Sequence, residues 1–369
     1  MRIAVAMSGG VDSSVAALLL AREGADVVGL SMHLWNHDRD GSGAAEGRCC
    51  TLDDLATARR AAEKIGIPHF VLNLERQFTE AVVKPFVAAY LAGETPIPCT
   101  SCNTQVKFRS LLERAAGLGC DAVATGHYAR LERDPESGSV RLLRARDESK
   151  DQTYFLYDLS AAQLERARFP LGDLTKDEVR ELAREAGLPN WNKPDSQEVC
   201  FVPNAGGPAG FVKREAESLG LALPSLPGAR RGPIEHVDGR SMGEHEGVYH
   251  FTVGQRRGLG IATGDPLYVV SLDAENARVV VGPREALAET IVPLRDVSFV
   301  ETPRETELRV LARIRYRHPE QAATLRLGPR GEGTLRFDEP VRAAAPGQSA
   351  VFFDPARPEW LLGGGTITR

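Results

Sequence analysis

The sequence predicts an α/β amino-terminal region, a small β-rich middle and a carboxyl-terminal β-barrel, and three observations carry that reading. Residues 1 to about 130 alternate short apolar runs with helical stretches, the order that builds a parallel sheet with helices on both faces. The composition shifts near Pro203, where Gly206-Gly207-Pro208 and the Pro/Gly/Arg stretch Pro224 to Pro233 lead into strands and turns. From about Arg284, short alternating strands with turns such as Asp338-Glu339-Pro340 and Pro346-Gly347 suggest a small barrel. The expected domains are residues 1–203, 204–283 and 284–369.

Taken in order, Ile3 to Met7 is a buried strand and Val15 to Leu20 a helix packed on the sheet, with Gly24 as its stop. Asp26 to Leu34 is a second strand, and the Gly- and charge-rich stretch Arg39 to Cys50 a loop. Thr51 with Asp54 reads as a capping box opening a helix that ends at Gly66. His69 to Leu74 is the third strand; helices are expected around Thr79–Leu91 and Thr104–Ala116, and Asp121 to Ala124 is a short strand. Ala129 to Leu143 suggests a hairpin, and Thr175 with Glu178 caps a helix closed by Gly187 and Pro189.

With 369 residues, 42% hydrophobic and 26% charged, the chain has ordinary globular composition and room for several cores. No apolar run reaches membrane-spanning length, and Met1-Arg2-Ile3 leads into a core strand instead of a signal peptide. Six cysteines without a secretion signal read as reduced, cytoplasmic thiols. A net charge of −5 means that any nucleic-acid partner must be held by a local basic patch.

Candidate chemistry begins at Ser8-Gly9-Gly10-Val11-Asp12-Ser13-Ser14, between the first strand and helix. Its glycines allow close backbone approach, its hydroxyls add donors, and the helix N-terminus attracts anions without any lysine. Neither the Gly-Lys-Ser/Thr ending of a P-loop nor G-x-G-x-x-G stands here. The pattern resembles the ATP pyrophosphatase signature; a plain turn capped by Asp12 or Ser13 is the simpler alternative.

Cys99 and Cys102 form a C-x-x-C, a spacing shared by redox pairs, metal sites and coincidence. His33 and His37 precede it at H-x-x-x-H spacing, an order unlike that of a zinc finger. Cys49 and Cys50 read as loop thiols, Cys120 as a small core residue, and Cys200 as a thiol able to enter a cleft. Along Arg309 to Arg317, Val310, Ala312, Ile314 and Tyr316 point one way and Arg309, Leu311, Arg313, Arg315 and Arg317 the other. The second face is suited to phosphates, or is simply a solvated barrel face.

Several motifs then occur together. They are the Ser8–Ser14 loop, Cys-Asn-x-x-x-Lys-Phe at Cys102 to Phe108, Ala124-Thr125-Gly126-His127-Tyr128 and Lys150-Asp151-Gln152. Ser196-Gln197-Glu198-Val199-Cys200-Phe201 and Phe251-Thr252-Val253-Gly254-Gln255-Arg256-Arg257-Gly258-Leu259 follow. In this order, across essentially the whole chain, they resemble the bacterial tRNA-uridine 2-sulfurtransferases, whose catalytic domain is adenine nucleotide α-hydrolase-like. The resemblance implies ATP- and Mg²⁺-dependent 2-thiolation of the tRNA wobble uridine. By it, Ala6, Met7, Ser8, Gly9, Gly10, Val11, Asp12 and Ser13, with Met32 and Gly126, hold ATP. Cys102 is the nucleophile and Cys200 the persulfide carrier, the two being able to close a disulfide; Lys107 either lowers the Cys102 pKa or is a solvated helix lysine. His127, Lys150, Asp151, Gln152, Arg315, Tyr316 and Gln348 contact tRNA, and Ile97, Pro98 and Cys99 form the target-base pocket. Arg256 and Arg257 are further candidates for the RNA backbone. Expected partners are glutamate, glutamine and lysine tRNAs and a sulfur-relay protein or cysteine desulfurase.

Many members of that family carry Asp where Cys99 stands. Cys99, Cys102 and Cys200 are therefore also candidate ligands of an iron–sulfur cluster. Two rivals share the loop: a ligase related to argininosuccinate or GMP synthases, and a non-enzymatic ATP sensor. Both leave the cysteines idle.

Overall fold

The computed structural model describes residues 1–36, 51–135, 138–195, 199–202, 206–261 and 264–369. His37, Cys49, Cys50, the expected loop 39–50 and Ser196 to Glu198 lie outside the described residues. The chain forms two compact units. The first comprises Met1–Val82, Cys99–Pro203 and Glu359–Leu362; the second comprises Val83–Pro98, Asn204–Pro358 and Gly363–Arg369.

In the first unit β1 (Arg2–Ala6), β2 (Asp26–His33), β3 (His69–Asn73), β4 (Ala122–Ala124) and β7 (Ala167–Arg168) make a parallel sheet in the order β3-β2-β1-β4-β7. The expected α/β class is what forms. Successive strands β1, β2 and β3 advance to one side while β4 lies on the other side of β1. The carboxyl ends of β1 and β4 therefore flank a topological switch point, where open α/β sheets bind ligands. The Ser8–Ser14 loop leaves β1 there, and Thr125 to Tyr128 leave β4 there.

Helices Val11–Arg22, Leu52–Ile65 and Lys176–Glu185 cover the sheet through small and branched side chains, among them Val15, Ala16, Ala58, Ala61, Ala62 and Val179. Thr51 and Asp54 close the anticipated capping box, and Gly66 ends that helix at φ 85°. Thr175 and Glu178 form another box. Between Ser101 and Leu111 the chain differs from expectation. Cys102–Ser110 is π-helical, with α-helix resuming at Leu111–Gly117. Apolar spacing does not separate i→i+4 from i→i+5 bonding, so the sequence reads as ordinary helix there. The hairpin β5 (Ala129–Arg133) and β6 (Val140–Arg144) forms in register, and β6 pairs with Trp360 and Leu361. Arg141 stacks 3.9 Å over the Trp360 ring.

In the second unit, helix Gly207–Ser218 occupies a segment expected to be strands and turns. Gly207-Pro208 reads as a breaker, yet proline in the first turn needs no donated N–H and suits a helix start. Phe211, Val212 and Ala216 are its buried face, and Phe211 meets Phe86 of helix Lys84–Leu91 edge-on at 6.0 Å. The middle sheet runs β10 (Tyr268–Asp273), β11 (Arg278–Gly282), β8 (Gly232–His236), β9 (Ser241–His245). The barrel order is β12 (Ala288–Phe299), β15 (Gly333–Arg342), β14 (Gln321–Leu327), β13 (Glu307–Arg313), β16 (Ser349–Phe353), β17 (Trp360–Ile367). Pairing of β12 with β17 closes it. Asp338-Glu339-Pro340, expected as a turn, lies instead within β15, where a register shift opposite Glu289/Ile291 accommodates the proline. Among the described residues no helix is long and apolar enough to cross a membrane.

Candidate active site

The loop after β1 is built from main chain. Gly9 adopts φ 77°, and a Cβ there would lie 2.3 Å from the Asp54 carbonyl oxygen, so no other residue fits without moving backbone. Gly10 is the N-cap of Val11–Arg22 and no side chain caps it, so the alternative of a helix capped by Asp12 or Ser13 is not what forms. Ser13 Oγ donates to Gly10 O at 3.1 Å and accepts from Ser8 N at 3.1 Å, while Ser14 Oγ donates to Gly10 O at 3.2 Å. Ala6, Met7, Val11 and Met32 are buried in the core, leaving only their backbone to face a ligand. Gly126 packs onto the loop so closely that a Cβ would stand 2.6 Å from Ser13 N. The expected ATP-holding residues from both strand ends therefore meet at one place.

The sequence reading found an anion cradle without lysine; the fold adds cations from far along the chain. Lys176 Nζ, on a side chain 7% exposed, donates to both Asp12 carboxylate oxygens at 2.7 and 2.8 Å. It also pairs with Asp195 at 2.7 Å. Lys193 Nζ reaches Asp54 and Gly9 O, the latter at 3.4 Å. Asn190 Nδ2 donates to Gly9 O and Ser14 Oγ, both at 3.0 Å, while its buried Oδ1 has no partner among the described residues. Tyr128 donates its hydroxyl to Asp12 Oδ1 at 2.8 Å. Burial, then the Asp12 charge and hydrogen bond, push the Tyr128 pKa up, so it stays a donor. Glycines, helix N-terminus and lysines together fit a polyphosphate, whose oxygens accept hydrogen bonds and cannot serve the Asn190 Oδ1 acceptor. The Asp12 carboxylate suits a Mg²⁺ bound through one carboxylate plus phosphates.

Cys102 is buried and opens the π-helix, a geometry found often at functional sites. Around it Thr100 Oγ1, Asn103 Oδ1 and Thr104 Oγ1 are buried without partners among the described residues, although Asn103 Nδ2 donates to Phe155 O at 2.9 Å. Cys200 is half-buried, and Phe201 beside it packs on Phe78 at 5.4 Å and on Trp35 at 6.4 Å. The helix Glu75–Phe78 in turn packs on Cys102–Ser110, so the two cysteine segments flank one helix. Cys99 is exposed and Cys120 is in the core, its thiol pKa raised by burial. Among the described residues no three His, Cys, Asp or Glu side chains converge to hold a metal ion. Cys99, Cys102 and Cys200 are thus not gathered as iron–sulfur ligands. His33 is described, whereas His37, at H-x-x-x-H spacing from it, lies outside the described residues.

His127, expected to touch RNA, is half-buried between the rings of Phe108 and Phe169, and its Nδ1 shares a 2.8 Å hydrogen bond with Thr125 Oγ1. Burial first and the Lys107 charge second hold its pKa well below the ordinary imidazole value. Below about pH 6.5 the unfolded chain then binds a proton that the folded chain refuses, so stability falls on acidification. Urea midpoints at pH 7.5 and 5.5 should show a smaller loss in His127→Gln than in the original protein.

Lys150 Nζ pairs with Asp195 at 2.7 Å. Asp151 is interior, accepting from Ala145 N and Thr153 Oγ1, which makes it an anchor of the turn and not an outward contact. Gln152 Oε1 accepts from Tyr128 N at 3.0 Å. In the second unit, Arg315 Nη2 donates to Val253 O and Ala343 O at 3.0 and 2.9 Å, and Gln348 Nε2 to Thr95 O at 2.6 Å. β13 ends at Arg313, so Arg315, half-buried Tyr316 and exposed Arg317 lie in the following turn instead of along one strand face. Arg309 pairs with Asp338 at 2.6 Å and Arg313 with Glu320. Arg256 and Arg257 are exposed. Of the expected base pocket, Ile97 and buried Pro98 belong to the second unit and Cys99 to the first.

Comparison with known proteins finds three family models along the chain. A family model described as tRNA methyl transferase HUP domain matches residues 1–204. A tRNA methyl transferase PRC-barrel domain matches 223–283, and an aminomethyltransferase beta-barrel domain 290–367. The tRNA-specific 2-thiouridylase MnmA of Solibacter usitatus is 50% identical, covering 99% of this chain and 98% of its own. That of Methylobacterium nodulans is 48% identical, covering 100% of this chain and 94% of its own. Among solved structures, a 4-thiouridine synthetase–RNA complex with bound ATP aligns at 17% identity and TM-score 0.32, over 59% of this chain and 51% of that one. It is too distant to bear on the chemistry.

Proposed function

The chain belongs to the tRNA-specific 2-thiouridylase family, and from that premise we propose that it replaces the C2 oxygen of the tRNA wobble uridine with sulfur, using ATP. The family models speak of methyl transfer, which would leave both the polyphosphate-type loop and the paired cysteine segments without a task. The observation that supports thiolation most directly is their placement: one compact unit carries the loop at the switch point and both cysteine segments against helix Glu75–Phe78.

Uridine O2 attacks the ATP α-phosphorus, pyrophosphate leaves, and the oxygen becomes part of an AMP leaving group. The backbone of Ser8 to Ser13, with Lys176, holds the departing pyrophosphate; Mg²⁺, when bound, neutralises phosphate charge. The terminal sulfur of a Cys200 persulfide attacks C2 and AMP departs with the old oxygen. The Cys102 thiolate then attacks Cys200 Sγ, freeing the thiocarbonyl and closing a Cys102–Cys200 disulfide, which a two-electron reductant reopens. The uridine must leave the anticodon stack to reach the cleft, and Ile97, Pro98 and Cys99 are the proposed pocket.

In this reading residues 1–203 carry the chemistry, while 204–283 and 284–369 hold RNA. His127, Lys150 and Gln152 act near the anticodon, and Arg315, Tyr316 and Gln348 on the barrel side. The sulfur arrives from a relay protein or cysteine desulfurase, in the cytoplasm, and the RNAs are the glutamate, glutamine and lysine acceptors. No cluster step is included, because the three thiols do not converge.

Purified protein supplied with ATP and unmodified tRNA should release pyrophosphate in a tRNA-stimulated manner and, with a labelled persulfide donor, transfer the label to tRNA. Release indifferent to tRNA but stimulated by a small acceptor would favour the ligase, and no release under any condition the sensor.

A further inference from the structure

Lys176 commits its whole hydrogen-bonding capacity to two carboxylates. An ammonium has three N–H donors, and Lys176 Nζ lies 2.7 and 2.8 Å from the two oxygens of Asp12 and 2.7 Å from Asp195 Oδ1. To reach a phosphate it must let go of one carboxylate. Asp12 would still hold the Tyr128 hydroxyl at 2.8 Å. Asp195 is held through its other oxygen by Lys150 Nζ at 2.7 Å, on a side chain 33% exposed against 7% for Lys176. Arg180 stands farther off at 3.7 Å. Burial alone would raise the Asp195 pKa, but hydrogen bonds from Lys150 and Lys176 outweigh it and hold the carboxylate ionised. The turn that carries Lys150 also reaches Asp12 by a second route, because Gln152 Oε1 accepts from Tyr128 N and Tyr128 donates to Asp12. All of these residues belong to the first unit.

We propose that Asp195 is a positioning residue for Lys176, through which RNA binding at Lys150 strengthens the nucleotide grip at Asp12. This rests on the reading of Lys150 as an RNA contact and of the Ser8–Ser13 loop as the triphosphate grip. While Lys150 pairs with Asp195, the inner lysine can leave that carboxylate at little cost, and Asp12 stays capped by an ammonium. Once an RNA phosphate draws Lys150 away, Asp195 depends on Lys176, since a partly buried carboxylate without a close cation is costly. Lys176 then releases Asp12 instead, keeps Asp195, and turns its freed N–H groups to the phosphates. The Asp12 carboxylate is left open to the cation that accompanies a triphosphate. The two positions of one ammonium are the two-state element. Linkage makes the effect mutual, so bound nucleotide must tighten RNA by the same factor.

Calorimetric titration of the full chain gives the affinity of α,β-methylene-ATP with Mg²⁺, alone and with saturating unmodified tRNA. The tRNA is titrated with and without that analogue. Each ligand should tighten the other by at least about five-fold, and by equal factors. In Asp195→Asn both ligands should still bind and the mutual factor should fall below about two-fold, because a neutral amide holds neither lysine. Lys150→Met separates this coupling from plain charge. Loss of a cation should by Coulomb attraction weaken triphosphate binding, yet without Lys150 the inner lysine is already drawn to Asp195. Nucleotide affinity without tRNA should therefore rise to within about two-fold of the tRNA-bound value of the original protein. Weaker or unchanged nucleotide binding in Lys150→Met, or an undiminished mutual factor in Asp195→Asn, would overturn the assignment. Failure of either ligand to bind the original protein defeats the functional reading and this inference with it, whereas binding of both without coupling defeats this inference alone.

Discussion

Cys102→Ser is expected to lower sulfur incorporation into tRNA by at least about three orders of magnitude, the scale on which a covalent nucleophile is missed. tRNA-stimulated pyrophosphate release should stay within a few-fold. A serine hydroxyl is hardly ionised at neutral pH and forms neither persulfide nor disulfide, so the step that separates sulfur from Cys200 stops. Adenylation, which depends on the loop and not on the thiol, continues. The side chain is buried at the first residue of the π-helix, and serine is of similar size, so folding should survive. A sulfur-transfer rate in Cys102→Ser close to that of the original protein would remove this cysteine from the mechanism.

Lys176→Met should be nearly as damaging, but at the other half-reaction. The ammonium is the shared counter-ion of Asp12 and Asp195. Removing it leaves two carboxylates facing each other near the phosphate cradle, where an incoming triphosphate adds more negative charge. Pyrophosphate release is expected to fall by about 100-fold or more, in line with loss of a preorganised charge at a transition state. Stability should fall by about 2–3 kcal/mol. This is less than the loss on breaking a fully sealed pair, because Asp12 and Asp195 keep access to water. Single-turnover pyrophosphate release and urea midpoints separate the two effects. Lys176→Arg, which keeps the charge, should recover most of the stability; a Lys176→Met enzyme releasing pyrophosphate normally would show that the lysine is only a structural counter-ion.

Much of this was legible in advance because it depends on neighbours along the chain. Thr51/Asp54 and Thr175/Glu178 announce helix starts since a capping box spans only four positions. The glycines at Ser8–Ser14 announce a strand-to-helix cradle for the same reason. Helix Gly207–Ser218 stands where the sequence predicts strands and turns because a proline in the first turn does not prevent a helix start. The π-helix at Cys102 is not legible because a stretch of 9 residues is too short for its apolar positions to separate the two helical periods. The resemblance places Asp151 against tRNA, while the fold engages its carboxylate with Ala145 and Thr153 within the turn. The alternation from Arg309 to Arg317 suggested one basic face, but the strand stops at Arg313 and acidic partners meet Arg309 and Arg313.

The sequence by itself determined the α/β class, the barrel, the loop and the two cysteines to look at, since each is written in residues close together or in motifs whose order is specific. Only the tertiary structure decided that Lys176, Asn190 and Lys193 complete the cradle, that Tyr128 and Lys176 share Asp12, and that Lys150 reaches the same charge network through Asp195. Those groups lie more than a hundred residues from the loop. They meet it because parallel strands deliver their carboxyl ends to one edge, where buried charges are tolerable only when paired.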